Sequence, residues 1–118
     1  MSTKIEKSYY TPEEYLALEE VAESKSEYRD GEIVPMAGGT TNHNEIALNF
    51  CTHFKFNLRE QNYRIYMGDV RLWLPRYRLY TYPDVMIIGG EPIYQGTGTT
   101  TVTNPLLIVE VLSNSTKN

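Results

Sequence analysis

Two short apolar runs, each carrying one carboxylate, constrain most strongly what this chain can fold into. The first is the stretch 82–88, YPDVMII, and the second is the stretch 106–113, LLIVEVLS. Both are rich in β-branched residues and bounded by Gly, Pro, Asn or Ser, which predicts strands buried on both faces near the centre of a sheet. If these strands are neighbours, Asp84 and Glu110 lie close together.

The two acids are costly to bury in such surroundings. An ionised carboxylate in an apolar interior costs several kcal/mol unless a partner, backbone N–H groups or a metal compensates it. Two neighbouring carboxylates also repel each other, and the simplest remedy is a divalent cation between them. The pair therefore predicts a metal site. The alternative is that Asp84 sits in water at the mouth of its strand while Glu110 pairs with an arginine.

Length, composition and charge narrow the class of protein. With 118 residues and 41% hydrophobic content, residues 1–118 are expected to form one small domain. No apolar stretch approaches the roughly 18–20 residues that span a bilayer, and the N-terminus lacks the apolar region of a signal peptide, so we expect no membrane contact and a cytoplasmic location. The formal net charge of −4 argues against a generic polyanion binder, although a local basic strip stays possible.

The N-terminal third predicts a helix followed by a hairpin. Thr11, Pro12 and Glu14 form a helix-start pattern, with a capping hydroxyl, a proline at the first helical position and a glutamate three residues after the cap. The dipeptide Asp-Gly at 30–31 lies between two short apolar runs and indicates a β-hairpin. Glu27 would then lie at the junction of helix and hairpin.

A second helix carries one of the two histidines. The segment 42–45, NHNE, resembles a capping box, and apolar residues follow at helical spacing to about residue 60. His43 at the helix entrance could touch a phosphate or order an active site, with a purely structural role as the alternative. The single cysteine, Cys51, falls within the apolar pattern and is interpreted as a buried hydrophobe.

The middle of the chain offers a candidate nucleic-acid surface. From residue 63 to residue 74 one strand with one face buried is predicted, because the apolar residues Val70, Leu72 and Leu74 alternate with Asp69, Arg71 and Trp73. The next segment, 75–82, interleaves Arg76 and Arg78 with tyrosines, a composition that suits phosphates and unstacked bases. A solvated connection between strands is the equal alternative. The Gly- and Thr-rich stretch 89–104 predicts a long loop.

An ordered set of short motifs resembles a known family. The set consists of Glu27, the stretch DGEIV at 30–34, the pair His43-Asn44, the stretch YPDV at 82–85, and an Asn-Pro pair at 104–105 followed by VEVLS at 109–113. Together these motifs closely resemble the Uma family of restriction-endonuclease-like proteins, within the PD-(D/E)XK nuclease superfamily. The resemblance runs from about residue 10 to residue 116, and the ordered set is far more specific than any single piece.

The resemblance implies a fold, a reaction and a set of site residues. The implied fold class is α/β (α+β), a restriction-endonuclease-like mixed central sheet flanked by helices. Asp84 matches the motif aspartate, Glu110 the second acid, and Glu27 the glutamate from the N-terminal part. The implied activity is Mg²⁺-dependent hydrolysis of DNA, with Mn²⁺ as a substitute ion. Val111 is a plausible further ligand through its carbonyl oxygen, and His43, Arg71, Arg76 and Arg78 are the candidate DNA contacts.

The chain departs from the superfamily pattern near its end. A lysine is expected two residues after the second acid, where this chain has Leu112. Residues 113–118 are typical of the N-cap of a helix that does not follow. We therefore expect a domain truncated at the C-terminus, lacking its last helix and strands, and a homodimer that covers the exposed flank.

Three functions stay open at this point. The first is a Mg²⁺-dependent DNA endonuclease, which rests on the paired acids and the resemblance. The second is a catalytically dead nucleic-acid-binding or assembly module of the same fold, favoured by Leu112. The third is a metal-free structural or partner-binding domain, in which the acids pair with Arg71 or Arg29.

Overall fold

The computed structural model describes residues 9–112, which form two α-helices and two β-sheets. Residues 113–118, where the sequence predicts a helix N-cap, lie outside the described residues. No helix between residues 9 and 112 is long and apolar enough to cross a bilayer. The elements in chain order are α1 (Pro12–Val21), β1 (Ser26–Arg29), β2 (Glu32–Pro35), α2 (Thr41–Asn57), β3 (Tyr63–Met67), β4 (Arg71–Leu74), β5 (Leu79–Thr81), β6 (Val85–Gly89), β7 (Thr101–Val102) and β8 (Leu107–Val109).

The first sheet has five strands in the order β2-β1-β5-β4-β7, and it carries a core of tyrosines. All of its pairings are antiparallel except that of β4 with β7, so the sheet is mixed. Tyr15 of α1, Tyr28 of β1 and Tyr80 of β5 are each 0% exposed and pack together as what we term the tyrosine core. Each of their hydroxyls donates a hydrogen bond, so the burial leaves no phenol unsatisfied.

The second sheet has three antiparallel strands in the order β3-β6-β8. Its middle strand, β6, is buried from Val85 to Ile88, which confirms the prediction for the first apolar run. One face packs against α2 through Ala47 and Cys51, and the buried state of Cys51 is also confirmed.

The second apolar run behaves differently from the prediction. Its strand, β8, is a neighbour of β6 as expected, but it has only three residues and lies at the edge of its sheet. Leu107 and Ile108 are exposed, and within residues 9–112 no strand pairs with the outer edge of β8. The prediction of a strand buried on both faces is therefore wrong for this run.

The predicted start of α1 and the predicted turn of the first hairpin are confirmed, and both predictions depend on residues close together in the sequence. Thr11 and Glu14 form a reciprocal capping box at α1. The turn at Asp30-Gly31 joins β1 to β2; Asp30 has a φ of 45°, and Gly31 has a φ of 104°, which glycine adopts without strain. The start of α2 is corrected by two residues, since the capping hydroxyl belongs to Thr40.

The predicted single strand over 63–74 is wrong. Met67 ends β3, and the chain turns through Gly68 and Asp69 before β4 begins in the other sheet. The predicted loop over 89–104 also contains the short strand β7, which pairs in parallel with β4. The alternation of apolar residues shifts by one position at this turn, from Ile65 and Met67 to Val70, Leu72 and Leu74, which is consistent with two separate strands.

Candidate active site

Strand register brings the two predicted acids to one end of the second sheet. Val85 at the start of β6 pairs with Val109 at the end of β8, so the adjoining residues Asp84 and Glu110 face each other just beyond the ladder. The Asp84 backbone N–H donates to Oε1 of Glu110 at 3.0 Å. The Val111 backbone N–H donates to Oδ2 of Asp84 at 2.7 Å. Each carboxylate is thus held by the backbone of the segment that carries the other acid.

His43 completes this group from the first turn of α2. Its Nε2 lies 2.9 Å from Oδ1 of Asp84, and both side chains are partly buried. The Thr40 hydroxyl accepts the His43 backbone N–H at 3.1 Å, so the helix cap fixes the backbone position from which the His43 side chain extends. Both oxygens of Asp84 therefore have a partner, and the role of His43 in ordering an active site or touching a phosphate stays a prediction.

Glu27, the third predicted acid, lies beside the pair but has partners of its own. Its Oε1 lies 2.6 Å from Nη2 of Arg29, and its Oε2 accepts the hydroxyl of Thr81. The pairing with Arg29 that the metal-free alternative requires is therefore present for Glu27. Within residues 9–112, Asp84 has an ion pair with His43, and no ion pair joins Asp84 or Glu110 to an arginine.

The electrostatic environment of Glu110 favours its neutral form. Burial of its carboxyl group raises its pKa most, although the residue as a whole is exposed, and the charges of Asp84 and Glu27 raise it further. The Asp84 N–H and the charge of His43 lower the pKa of Glu110 and only partly offset these effects. A cation held near Asp84 and Glu110 would relieve this repulsion.

The donor set can be compared with what a hard cation requires. Among residues 9–112, no group of three or more His, Cys, Asp or Glu side chains is arranged to hold a metal ion by itself. Mg²⁺, however, commonly binds through one or two carboxylates and keeps several waters. Asp84 and Glu110 supply two carboxylates at one sheet end, a set of donors that fits this mode of binding.

A cavity of about 720 Å³ opens beside Asp84. It is lined by the segments 23–25 and 36–40, by the first turns of α2, by the turn 67–69, and by Tyr82 and Asp84. Its volume falls in the range of about 300–1,000 Å³ that small-molecule sites occupy. Asp84 and His43 therefore both face a cavity of the size of a small-molecule site.

Lys25 is a residue of this cavity that the sequence did not single out. Its Nζ donates to the Gly68 carbonyl oxygen at 2.9 Å and lies 3.0 Å from Oδ1 of Asp69. The same ammonium lies 5.2 Å from the ring centroid of Tyr82. In the sequence, Lys25 is a single lysine that precedes a hairpin. It belongs to no motif or regular spacing that would mark it as a site residue.

The three predicted arginines lie elsewhere, and their DNA contacts stay a prediction. Arg71 donates to the Tyr82 hydroxyl at 3.2 Å, inside the first sheet. Arg78 pairs with Asp30 at 2.8 Å, at the hairpin turn. Arg76 is exposed in the short turn that follows β4. Their described polar contacts are with residues other than the two acids.

Comparison with known proteins places the chain among nuclease-like proteins. Residues 12–118 match the Uma2 family, described as "Putative restriction endonuclease". An uncharacterized Synechocystis protein is 44% identical over 105 residues, which is 89% of this chain and 59% of that protein. A second uncharacterized Synechocystis protein is 37% identical over 107 residues, or 91% of this chain and 55% of its own length. The chain thus spans less than two thirds of either relative.

A solved structure shares the fold. A crystal structure from Anabaena variabilis, of "a putative nuclease belonging to DUF820", superposes with a TM-score of 0.71 at 21% identity. The match covers 90% of this chain and 60% of that one. The resemblance and the mixed α+β fold class predicted from the sequence are both confirmed.

Proposed function

Because the chain belongs to the Uma2 family, we propose that it carries the metal-binding half of a Mg²⁺-dependent DNA endonuclease site. One observation supports this most: Asp84 and Glu110 are held at the same sheet end by reciprocal backbone hydrogen bonds of 3.0 and 2.7 Å. These bonds orient two carboxylates that otherwise repel each other. A metal-free structural role gives no reason to keep the two charges together.

The proposed roles follow from the chemistry of each residue. A bound Mg²⁺, replaceable by Mn²⁺, supplies charge stabilisation at the phosphoryl oxygens and lowers the pKa of an attacking water. Asp84 and Glu110 would hold the ion, with the Val111 carbonyl as a further candidate ligand. His43 keeps Asp84 in the orientation that the ion needs. Glu27, held by Arg29 and Thr81, would orient water near Glu110.

A second candidate is a DNA-binding module that keeps the fold and lacks turnover. It is favoured by Leu112, which stands where the superfamily has a lysine and is 70% exposed. Losing one preorganised donor to developing charge typically slows a reaction about 100–1,000-fold. This chain in isolation is then expected to bind DNA without cleaving it. A positively charged side chain supplied by another molecule would restore the activity.

A plasmid-nicking assay with Mg²⁺ separates these candidates, using Asp84→Ala as the test and Glu91→Ala as the control. Glu91 is an exposed acid paired with Arg64, outside the proposed site. Nicking that is lost only in Asp84→Ala supports the endonuclease. DNA binding without nicking supports the inactive module. If the wild-type protein neither binds nor cleaves DNA, both proposals fail.

We also propose that the protein self-associates through β8. Leu106, Leu107 and Ile108 are exposed along this edge, and pairing β8 with β8 of a second copy would bury them around a two-fold axis. Light scattering should give a dimer for the wild-type protein and a monomer for Ile108→Lys. A wild-type protein that is monodisperse as a monomer overturns this proposal and leaves the endonuclease proposal standing.

A further inference from the structure

We propose that Lys25 supplies the positive charge that contacts a DNA phosphate in the cavity beside Asp84. The inference rests on the function proposed above and deepens it by assigning a cation to the substrate. Lys25 is far from Asp84 in the sequence and lies in the segment that leads into the first hairpin.

The position of Lys25 is fixed by its backbone and by its side chain. Its carbonyl oxygen accepts the Met36 N–H at 3.1 Å, which extends the β1–β2 ladder by one pair. Its Nζ bonds to the Gly68 carbonyl oxygen at 2.9 Å, and the Gly68 N–H bonds to the Asp84 carbonyl oxygen at 3.3 Å. A single residue, Gly68, therefore links the ammonium to the backbone of Asp84 through its carbonyl oxygen and its N–H.

The charges around the cavity give this ammonium a particular role. Among the described residues that line the cavity, Glu23, Asp69 and Asp84 are acids, and Lys25 is the one permanently charged base. A phosphodiester entering toward Asp84 would be repelled by these acids. Lys25 is the lysine on the cavity wall that can offset the phosphate charge.

The present partner of Lys25 can give way to a phosphate. Asp69 is 96% exposed at its side chain and Lys25 is 43% exposed, so their ion pair is solvated and screened. The Gly68 carbonyl bond and the Tyr82 ring hold the ammonium in place without Asp69. Lys25 can thus keep its position while one of its N–H groups turns to a phosphate oxygen.

The alternative is that Lys25 only fastens the turn at 67–69, and the salt dependence of DNA binding separates the two roles. We would measure fluorescence anisotropy of a short fluorescein-labelled duplex between about 50 and 200 mM salt, where each lost phosphate contact lowers the slope of log K against log salt by about 0.9. Lys25→Gln keeps a donor for Gly68 and removes the charge, whereas Lys25→Arg keeps both. Lys55→Gln, on the exposed last turn of α2, is the control.

We expect the slope to fall by about 0.9 in Lys25→Gln and to stay at the wild-type value in Lys25→Arg and Lys55→Gln. A wild-type slope in a folded Lys25→Gln protein overturns the role of Lys25 and leaves the proposed function intact. An equal fall in Lys55→Gln also overturns it, since the effect would then be one of net charge. If the wild-type protein binds no duplex, the DNA substrate and this inference fail together.

Discussion

The two sheets of the domain differ in how completely they are covered. In the first, Tyr15 and Tyr80 stack with ring centroids 5.0 Å apart and are fully buried together with Tyr28. In the second, α2 buries only Ala47 and Cys51 and leaves large apolar side chains in solvent. The exposed set on α2 is Ile46, Leu48, Phe50 and Phe56.

Because of this difference, we expect the first sheet to contribute most of the stability, while the candidate site lies on the second sheet. The tyrosine core combines aromatic burial with satisfied hydroxyls, and such clusters dominate the energetics of a small domain. The candidate site lies at the end of the less covered sheet, where two acids adjoin β8, an edge strand within residues 9–112. Functional groups are commonly carried by the parts of a protein with lower local stability. We expect the covered sheet to hold the fold and the other sheet to tolerate the cost of the site.

The largest expected effect comes from truncating the tyrosine core. Tyr80→Ala removes a fully buried ring that also stacks on Trp73 at 4.2 Å, and should cost about 3–5 kcal/mol of unfolding free energy. Phe56→Ala on α2, where the ring is 63% exposed, should cost less than about 1 kcal/mol. Urea unfolding monitored by circular dichroism measures both. Similar losses in the two variants would show that the halves are equally important for stability.

A smaller effect is expected when a metal ion binds the less covered half. Millimolar Mn²⁺ should raise the melting temperature, since a ligand at 100 times its Kd adds about 2.7 kcal/mol to the free energy of unfolding. Asp84→Asn should remove this shift, because it removes a charged ligand and keeps the shape. Glu91→Gln is the matched control and should melt like the wild type with and without Mn²⁺. A wild-type melting temperature that ignores Mn²⁺ would argue against a formed site.

The smallest expected effect concerns how much the ionised Glu110 carboxylate destabilises the folded protein when no metal is bound. Because its pKa is raised above the ordinary 4.5 in the folded state, the native protein binds this proton more tightly than the unfolded chain. The contribution of Glu110 to stability therefore falls as pH rises from the ordinary value through the raised one. Glu110→Gln should raise the melting temperature at neutral pH by less than about 5 °C and leave it unchanged at acidic pH.

Scanning calorimetry at neutral and at acidic pH, in a buffer that contains a chelator, tests the direction of this change in melting temperature. The Gln side chain keeps an oxygen for the Asp84 N–H, so a stabilised variant reports the removed charge rather than a lost hydrogen bond. A Glu110→Gln protein that is less stable than the wild type at neutral pH would mean that the carboxylate is already compensated in the absence of metal.

Much of the fold and the identity of the two central acids could be predicted from the sequence. The capping box at Thr11 and the turn at Asp30-Gly31 depend on side chains that meet within a few residues, so they can be identified from their spacing. The apolar run around β6 and the order of the motifs also predicted the family and placed Asp84 and Glu110 next to each other, which the structure shows at the ends of β6 and β8.

Only the tertiary structure decided which distant groups surround those acids. The contact of His43 with Asp84, the hydrogen bond between Glu27 and Thr81, and the place of Lys25 all depend on how helices and hairpins dock. The placement of the two halves of 63–74 in different sheets was likewise decided by the tertiary structure. Side-chain periodicity reports which face is buried along one segment, whereas the partners across a cavity depend on the relative placement of segments far apart in the chain.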